Sequence, residues 1–202
     1  SVSQIKVAIK MLTVAKSMPF DYVSFISGDD IFIRNINDFK QFLFNNGDRE
    51  YLGVETTSTP KKILHRVNYR YPQCFYDRYP SSFTRTKKRL YSLLFKLGFR
   101  KNPIKISYPT LYKGSNWFTI SKALTNFIID EINNNPNLLL FFEHSLCCDE
   151  VFFHSIVMNS NFKCKVKVVN DDNTASLRYI NWSDGPEYPK VLYEKDLSIK
   201  FE

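Results

Sequence analysis

Along Val2 to Ser17, the apolar residues Ile5, Ala8, Ile9, Leu12 and Ala15 recur every three or four positions, with Lys6, Lys10 and Lys16 between them. That spacing lines one side of a 3.6-residue turn and predicts an amphipathic helix. The pattern then changes. Tyr22 to Ser27 (YVSFIS) is a short run of β-formers and predicts a buried strand, which Gly28-Asp29-Asp30 breaks. Asn35 is placed to cap a helix over Ile36 to Asn45. Tyr51 to Thr56 (YLGVET) reads as a second strand. Pro60 to Pro80, rich in Arg, Tyr and Pro, reads as a long irregular stretch. Arg85 to Arg100 predicts a basic amphipathic helix with Leu90, Leu93, Leu94 and Leu97 on one side.

Tyr108 to Tyr112 and Asn116 to Ile120 predict two further strands. Ser121 is a cap for a helix over Lys122 to Asn134. Asp149 to Asn159 predicts a helix with Val151, Phe152, Ile156 and Val157 as its apolar stripe, and Val166 to Val169 and Leu177 to Ile180 read as short strands. Strands separated by helices imply an α/β layered fold with a mixed sheet flanked by helices.

A chain of 202 residues with 44% hydrophobic residues is long enough to bury one sizeable core. Six glycines are too few for a large all-β sandwich full of tight turns. The net charge of +8 favours anionic partners: nucleotide-sugar diphosphates, nucleic acid or an acidic membrane face. Cys74, Cys147, Cys148 and Cys164 match no zinc-ribbon or thioredoxin-like spacing, and reduced thiols in a cytoplasmic protein are expected. No apolar run approaches the ~18 residues of a spanning helix. The chain starts on Ser1 directly in a helical pattern, which predicts a piece of a longer protein.

Five features are candidates for chemistry. Ser27-Gly28-Asp29-Asp30 follows a strand, where open α/β sheets place ligands; a turn with a capping Asp is the plainer alternative. Asp149-Glu150 starts a helix, where acids also serve simply to satisfy the free N–H groups. Asp171-Asp172 lies in a polar, Asn-rich loop and reads as solvated. Lys61, Lys62, His65, Arg66 and Arg70 interleave with Tyr69, Tyr71, Phe75 and Tyr76, a mixture suited to sugars, phosphates or single-stranded nucleic acid, or to a solvated basic loop. The helix from Arg85 is either packed by its leucines or laid on an anionic membrane surface. There is no Asp-x-Asp, and His65, His144 and His154 are scattered, so no metal site is read. No nucleic-acid-binding signature is present.

Four segments in order carry a resemblance. YVSFISGDDIFIRN (22–35) is similar to an S/C-G-x-D-Y/F-P-I segment, with Asp30 on its Asp and Phe32 in place of its Pro. LYKGSNWFTIS (111–121), CDEVFFHSIVMNS (148–160) and LRYINW (177–182) match three further segments. Together they resemble the core-2/I-branching N-acetylglucosaminyltransferase and peptide xylosyltransferase family. The resemblance implies a GT-A-like fold and inverting transfer from a nucleotide-sugar donor, UDP-linked, to a glycan or other hydroxyl acceptor, with neither metal nor cofactor. It implies Glu150 as the base, Asp30 on the donor side, and Glu55, Lys62 and Arg66 at the acceptor. Trp117 offers a flat apolar face to a sugar ring, or else packs in the core.

The family's amino-terminal nucleotide-binding strand–helix units are expected to precede Ser1. Its diphosphate-neutralising basic residues follow a segment like Asp196-Leu197, close to the end of this chain. A non-catalytic carbohydrate- or polyanion-binding module of the same fold is the alternative, and a nucleic-acid binder the third. The expected location is cytoplasmic, peripheral at a membrane.

Overall fold

The structure, a computed structural model, describes residues 2–167, 172–183, 189–194 and 196. Helix α1 (Val2–Lys16) buries Ile5 and Leu12, two of the positions its periodicity marks. Strand β1 (Tyr22–Ser24) is short and half-buried. Helix α2 (Ile36–Asn45) begins where Asn35 accepts a side-chain hydrogen bond from the Asn37 N–H. Strand β2 (Tyr51–Val54) is buried throughout. Helix α3 (Pro60–Val67) and helix α4 (Ser82–Lys96) follow. Strand β3 (Gly114–Ser121) runs directly into helix α5 (Lys122–Asn134), with Ser121 as the cap. Helices α6 (Pro136–Phe142), α7 (Asp149–Met158) and α8 (Asp172–Ala175) complete the order.

The fold is α/β, helices around a small open three-stranded sheet, and is consistent with a partial GT-A-like fold. The sheet order is β1-β3-β2, with both ladders antiparallel. The parallel component is a bridge from Glu50 to Val166 at the sheet margin. Helix α7 is almost wholly buried, with His154 and Ser155 enclosed along with Val151, Phe152, Phe153, Ile156, Val157 and Met158. Phe153 meets Phe118 of β3 at 5.4 Å between ring centroids, and Phe152 meets Phe142 of α6 at 5.3 Å. Each such ring contributes about 1.5–3 kcal/mol by leaving water. This packing fixes the start of α7 against β3.

Some elements depart from the sequence pattern. Pro60 to Val67 is helical, with Pro60 at the first turn where its missing N–H costs nothing, and with Ile63 and Val67 buried. The dense Arg and Tyr composition hides that spacing. Helix α4 starts three residues earlier than expected, on a Ser81 cap, and the chain turns away at Gly98 with φ 85°.

Tyr108 to Tyr112 forms no strand. Its backbone is satisfied by side chains of α7: Ser155 Oγ accepts from the Tyr112 N–H at 3.1 Å, and Asn159 Nδ2 donates to the Thr110 carbonyl at 2.7 Å. Leu177 to Ile180 is not a strand either, since Leu177 turns at φ 58°. Of Val166 to Val169, Val166 makes the bridge to Glu50 and residues 168–169 lie outside the described residues. Asp171 also lies outside them, and Asp172 begins α8 rather than lying in a loop. The four cysteines are free thiols. Among the described residues no helix is long and apolar enough to cross a membrane.

Candidate active site

The carboxyl ends of β1 and β2 and the amino end of β3 share one edge of the sheet, because both ladders are antiparallel. The charged side chains collect at that edge. Glu55 is the first residue after β2, and its N–H donates to the Lys113 carbonyl at 2.7 Å. Lys113 is the last residue before β3. Its ammonium contacts Glu55 Oε2 and lies 3.5 Å from Glu150 Oε2. Arg66, in the last turn of α3, donates from its guanidinium to the same Glu150 oxygen at 2.7 Å. Two carboxylates and two cations therefore form one connected network.

The network is neither sealed nor fully wet. The side chains of Glu150 and Arg66 each retain 32% exposure, whereas Lys113 retains 17% and Glu55 22%. Arg66 and Lys113 both act on Oε2, and Glu150 Oε1 takes no part in an ion pair among the described residues. Burial raises the proton affinity of Glu55, but hydrogen bonds from Lys113, Ser58 and Thr57 outweigh it and bring its pKa down to about 2. One turn after Glu150, His154 is fully buried beside the Gly53 carbonyl, without a hydrogen bond of normal geometry. Burial, together with nearby Lys113, pushes its imidazole down to about 4, so it is neutral at pH 7.

These shifts predict an acid response. The folded pKa of Glu55 lies below its ordinary value of 4.5. Its ion pair therefore stabilises the fold fully above pH 4.5, and the contribution is lost as pH falls towards about 2. Glu50, buried and bonded to the Ser121 N–H and hydroxyl, is shifted upwards by burial and so works in the opposite direction. Urea denaturation from pH 7 to pH 2 is expected to show the midpoint falling below pH 4.5. Glu55→Gln is expected to flatten that fall, and an unchanged slope in the variant would rule out Glu55 as its source.

A second cluster lies at the same edge. Arg178 grips Asp30 with both terminal nitrogens, at 2.9 Å to Oδ1 and 3.0 Å to Oδ2. It also donates to the Phe25 carbonyl at 2.9 Å. Its guanidinium lies 4.7 Å from the centre of the Trp117 ring. Burial raises the Asp30 pKa, but hydrogen bonds from Ser27 and Arg178 outweigh it and hold the carboxyl below its usual value. Asn116, next to Trp117, donates to Asp149 Oδ2 at 2.7 Å, tying this part of β3 to the residue beside Glu150.

Of the residues singled out from sequence, Glu55, Arg66 and Glu150 converge in one network, while Asp30 and Trp117 share Arg178. Lys62 does not join the network. It is exposed one turn before Arg66 and takes no part in an ion pair among the described residues. The lysine of the site is Lys113. Lys113 and Arg178 both lie inside segments with a recognisable pattern, but a single sequence does not show which carboxylate either one meets. Among the described residues, no three His, Cys, Asp or Glu side chains group as metal ligands.

The family profile described as Core-2/I-Branching enzyme matches residues 1–201. The chain is 24% identical over 172 residues to Xylosyltransferase sqv-6 of Caenorhabditis elegans, a match covering 85% of this chain and 18% of that protein. It is 26% identical over 144 residues to an uncharacterized protein of Plasmodium falciparum, covering 69% of this chain and 7% of that one. The chain thus spans less than a fifth of the length of either relative. The profile spans nearly the whole chain, the four matching segments included, and the chain belongs to the core-2/I-branching enzyme family.

Proposed function

We propose that this chain forms the acceptor side and the catalytic base of an inverting, metal-independent glycosyltransferase. The donor in this reading is a UDP-linked sugar of the N-acetylglucosamine or xylose class. The acceptor is a hydroxyl of a glycan or related molecule, and no resident cofactor takes part. The observation that carries the reading is the part-exposed Glu150 carboxylate, with one oxygen held by Arg66 and Lys113 and the other in no ion pair among the described residues.

In the reaction, Glu150 Oε1 accepts the proton of the acceptor hydroxyl as that oxygen bonds to the anomeric carbon. The bond from the anomeric carbon to the diphosphate oxygen breaks on the opposite face, and the electron pair leaves with the diphosphate. A base at hydrogen-bond distance and a fixed angle of attack supply most of what such a step needs. Glu55 and Arg66 orient acceptor hydroxyls by charge-assisted hydrogen bonds. Trp117, steadied by Arg178, offers a flat face to a sugar ring. Asp30 lies on the donor side. Metal independence is supported by the cationic partner that each of Glu55, Glu150 and Asp30 already holds from within the chain.

The test uses the full-length protein with UDP-xylose and UDP-N-acetylglucosamine, glycan acceptors, and a chelator. Release of UDP matched by a product of inverted anomeric configuration is expected. Saturable glycan binding with no UDP release from either donor would instead identify a non-catalytic binding module.

A further inference from the structure

Helix α4 stands apart from the site and holds to the body by one side only. Phe95 is buried against Tyr69, Tyr71 and Phe75. Lys88 and Arg100 reach back to the Asp77 and Arg70 carbonyls. The opposite side is apolar and open to solvent: Phe83 is 69% exposed, Leu90 57%, Leu93 53% and Leu97 64%. At intervals of seven, three and four residues they form one continuous stripe. Leu90, Leu93 and Leu97 therefore do not pack α4 onto the core, while Leu94 is half-buried.

Basic side chains flank the stripe. Arg85, Arg89 and Lys96 line one margin, and Lys87 folds over the Phe83 ring at 4.4 Å on the other. None of Arg85, Arg89 and Lys96 has a carboxylate partner among the described residues. No Asp or Glu occurs in residues 78–129 at all. Exposed Tyr79 and Phe99 lie just beyond the two ends of the helix.

We propose that α4 docks this protein onto an anionic lipid surface. Phe83, Leu90, Leu93 and Leu97 enter the boundary between headgroups and acyl chains, and Arg85, Lys87, Arg89 and Lys96 meet lipid phosphates and carboxylates. Charge complementarity selects this occupant. A second copy of the helix would set Arg85, Arg89 and Lys96 against their own counterparts with no acid nearby to compensate. A nucleic acid would meet the cations but leave four large apolar side chains in water.

The test is sedimentation of the chain with phosphatidylcholine vesicles that contain or lack phosphatidylserine. Binding to the mixed vesicles is expected, at least about tenfold weaker on phosphatidylcholine alone, and weakened by salt. The variant Leu90→Gln/Leu93→Gln/Leu97→Gln is expected to lose binding by about tenfold or more. Arg85→Ser/Arg89→Ser/Lys96→Ser is expected to lose roughly a hundredfold, about fivefold per cation. All these positions are exposed, so circular dichroism should match the parent chain. The proposal is overturned by absence of vesicle binding, by binding indifferent to the leucine variant, or by concentration-dependent dimerisation that the leucine variant abolishes.

Discussion

Glu150→Gln in the full-length enzyme is expected to lower kcat for sugar transfer by about 10²–10⁴-fold, the range a single general base supplies. The substitution is nearly isosteric, and its amide oxygen still accepts the Arg66 hydrogen bond seen at 2.7 Å. It removes the proton acceptor while keeping the packing of α7 on β3. Donor affinity, measured by calorimetry with the nucleotide sugar, should stay within about threefold, because Asp30 of the donor side and its Arg178 partner are untouched. Turnover retained within about tenfold would exclude Glu150 as the base. A variant that lost both turnover and donor binding would show that the residue holds the site together instead.

Gly114→Ala is expected to destabilise the fold by at least about 3 kcal/mol, the upper end for overpacking. A Cβ at Gly114 would fall far inside contact distance of the Gly53 carbonyl oxygen and 2.5 Å from His154 Nε2. Neither neighbour can give way. Gly53 is main chain at a register shift between Leu52 and Val54, and His154 is fully buried in α7. For a chain of this length the loss corresponds to a melting temperature lower by roughly 10 °C.

Gly28→Ala is the control. Nothing lies within 4 Å of its added carbon, so the expected change is within about 0.5 kcal/mol. Because Gly114 opens β3 directly after Lys113, the close approach of the two backbones also brings Lys113 to Glu55. A Gly114→Ala protein melting within about 2 °C of the parent would mean that β2 and β3 can separate, and that the ionic network does not depend on their contact.

Local signals were legible where one stretch of chain contained both partners. Asn35 and Ser121 satisfy N–H groups two or three residues ahead, so the starts of α2 and α5 follow from side-chain chemistry within a single turn. The stripe of Val151, Phe152, Ile156 and Val157 is legible for the same reason, whereas the burial of Phe153, His154, Ser155 and Met158 on the other faces of α7 is not. Tyr108 to Tyr112 misled because its β-forming residues have their backbone bonded to side chains of Ser155 and Asn159, more than 40 residues away. The resemblance implies Lys62 at the acceptor, but on α3 it is exposed one turn before Arg66 and outside the network of Glu55, Arg66, Lys113 and Glu150.

By itself the sequence determined the helix caps, the apolar stripe of α7, the basic and apolar make-up of α4, and the four segments that carry the family resemblance. Each is written within about fifteen neighbouring residues, where bond geometry already dictates which side chains meet. Only the tertiary structure decided that Lys113 lies between Glu55 and Glu150, that Arg178 joins Asp30 to Trp117, and that the leucines of α4 face water. Those pairings span up to 148 residues and arise from how the sheet and α7 pack, since an ion pair is selected by distance in space rather than by order along the chain.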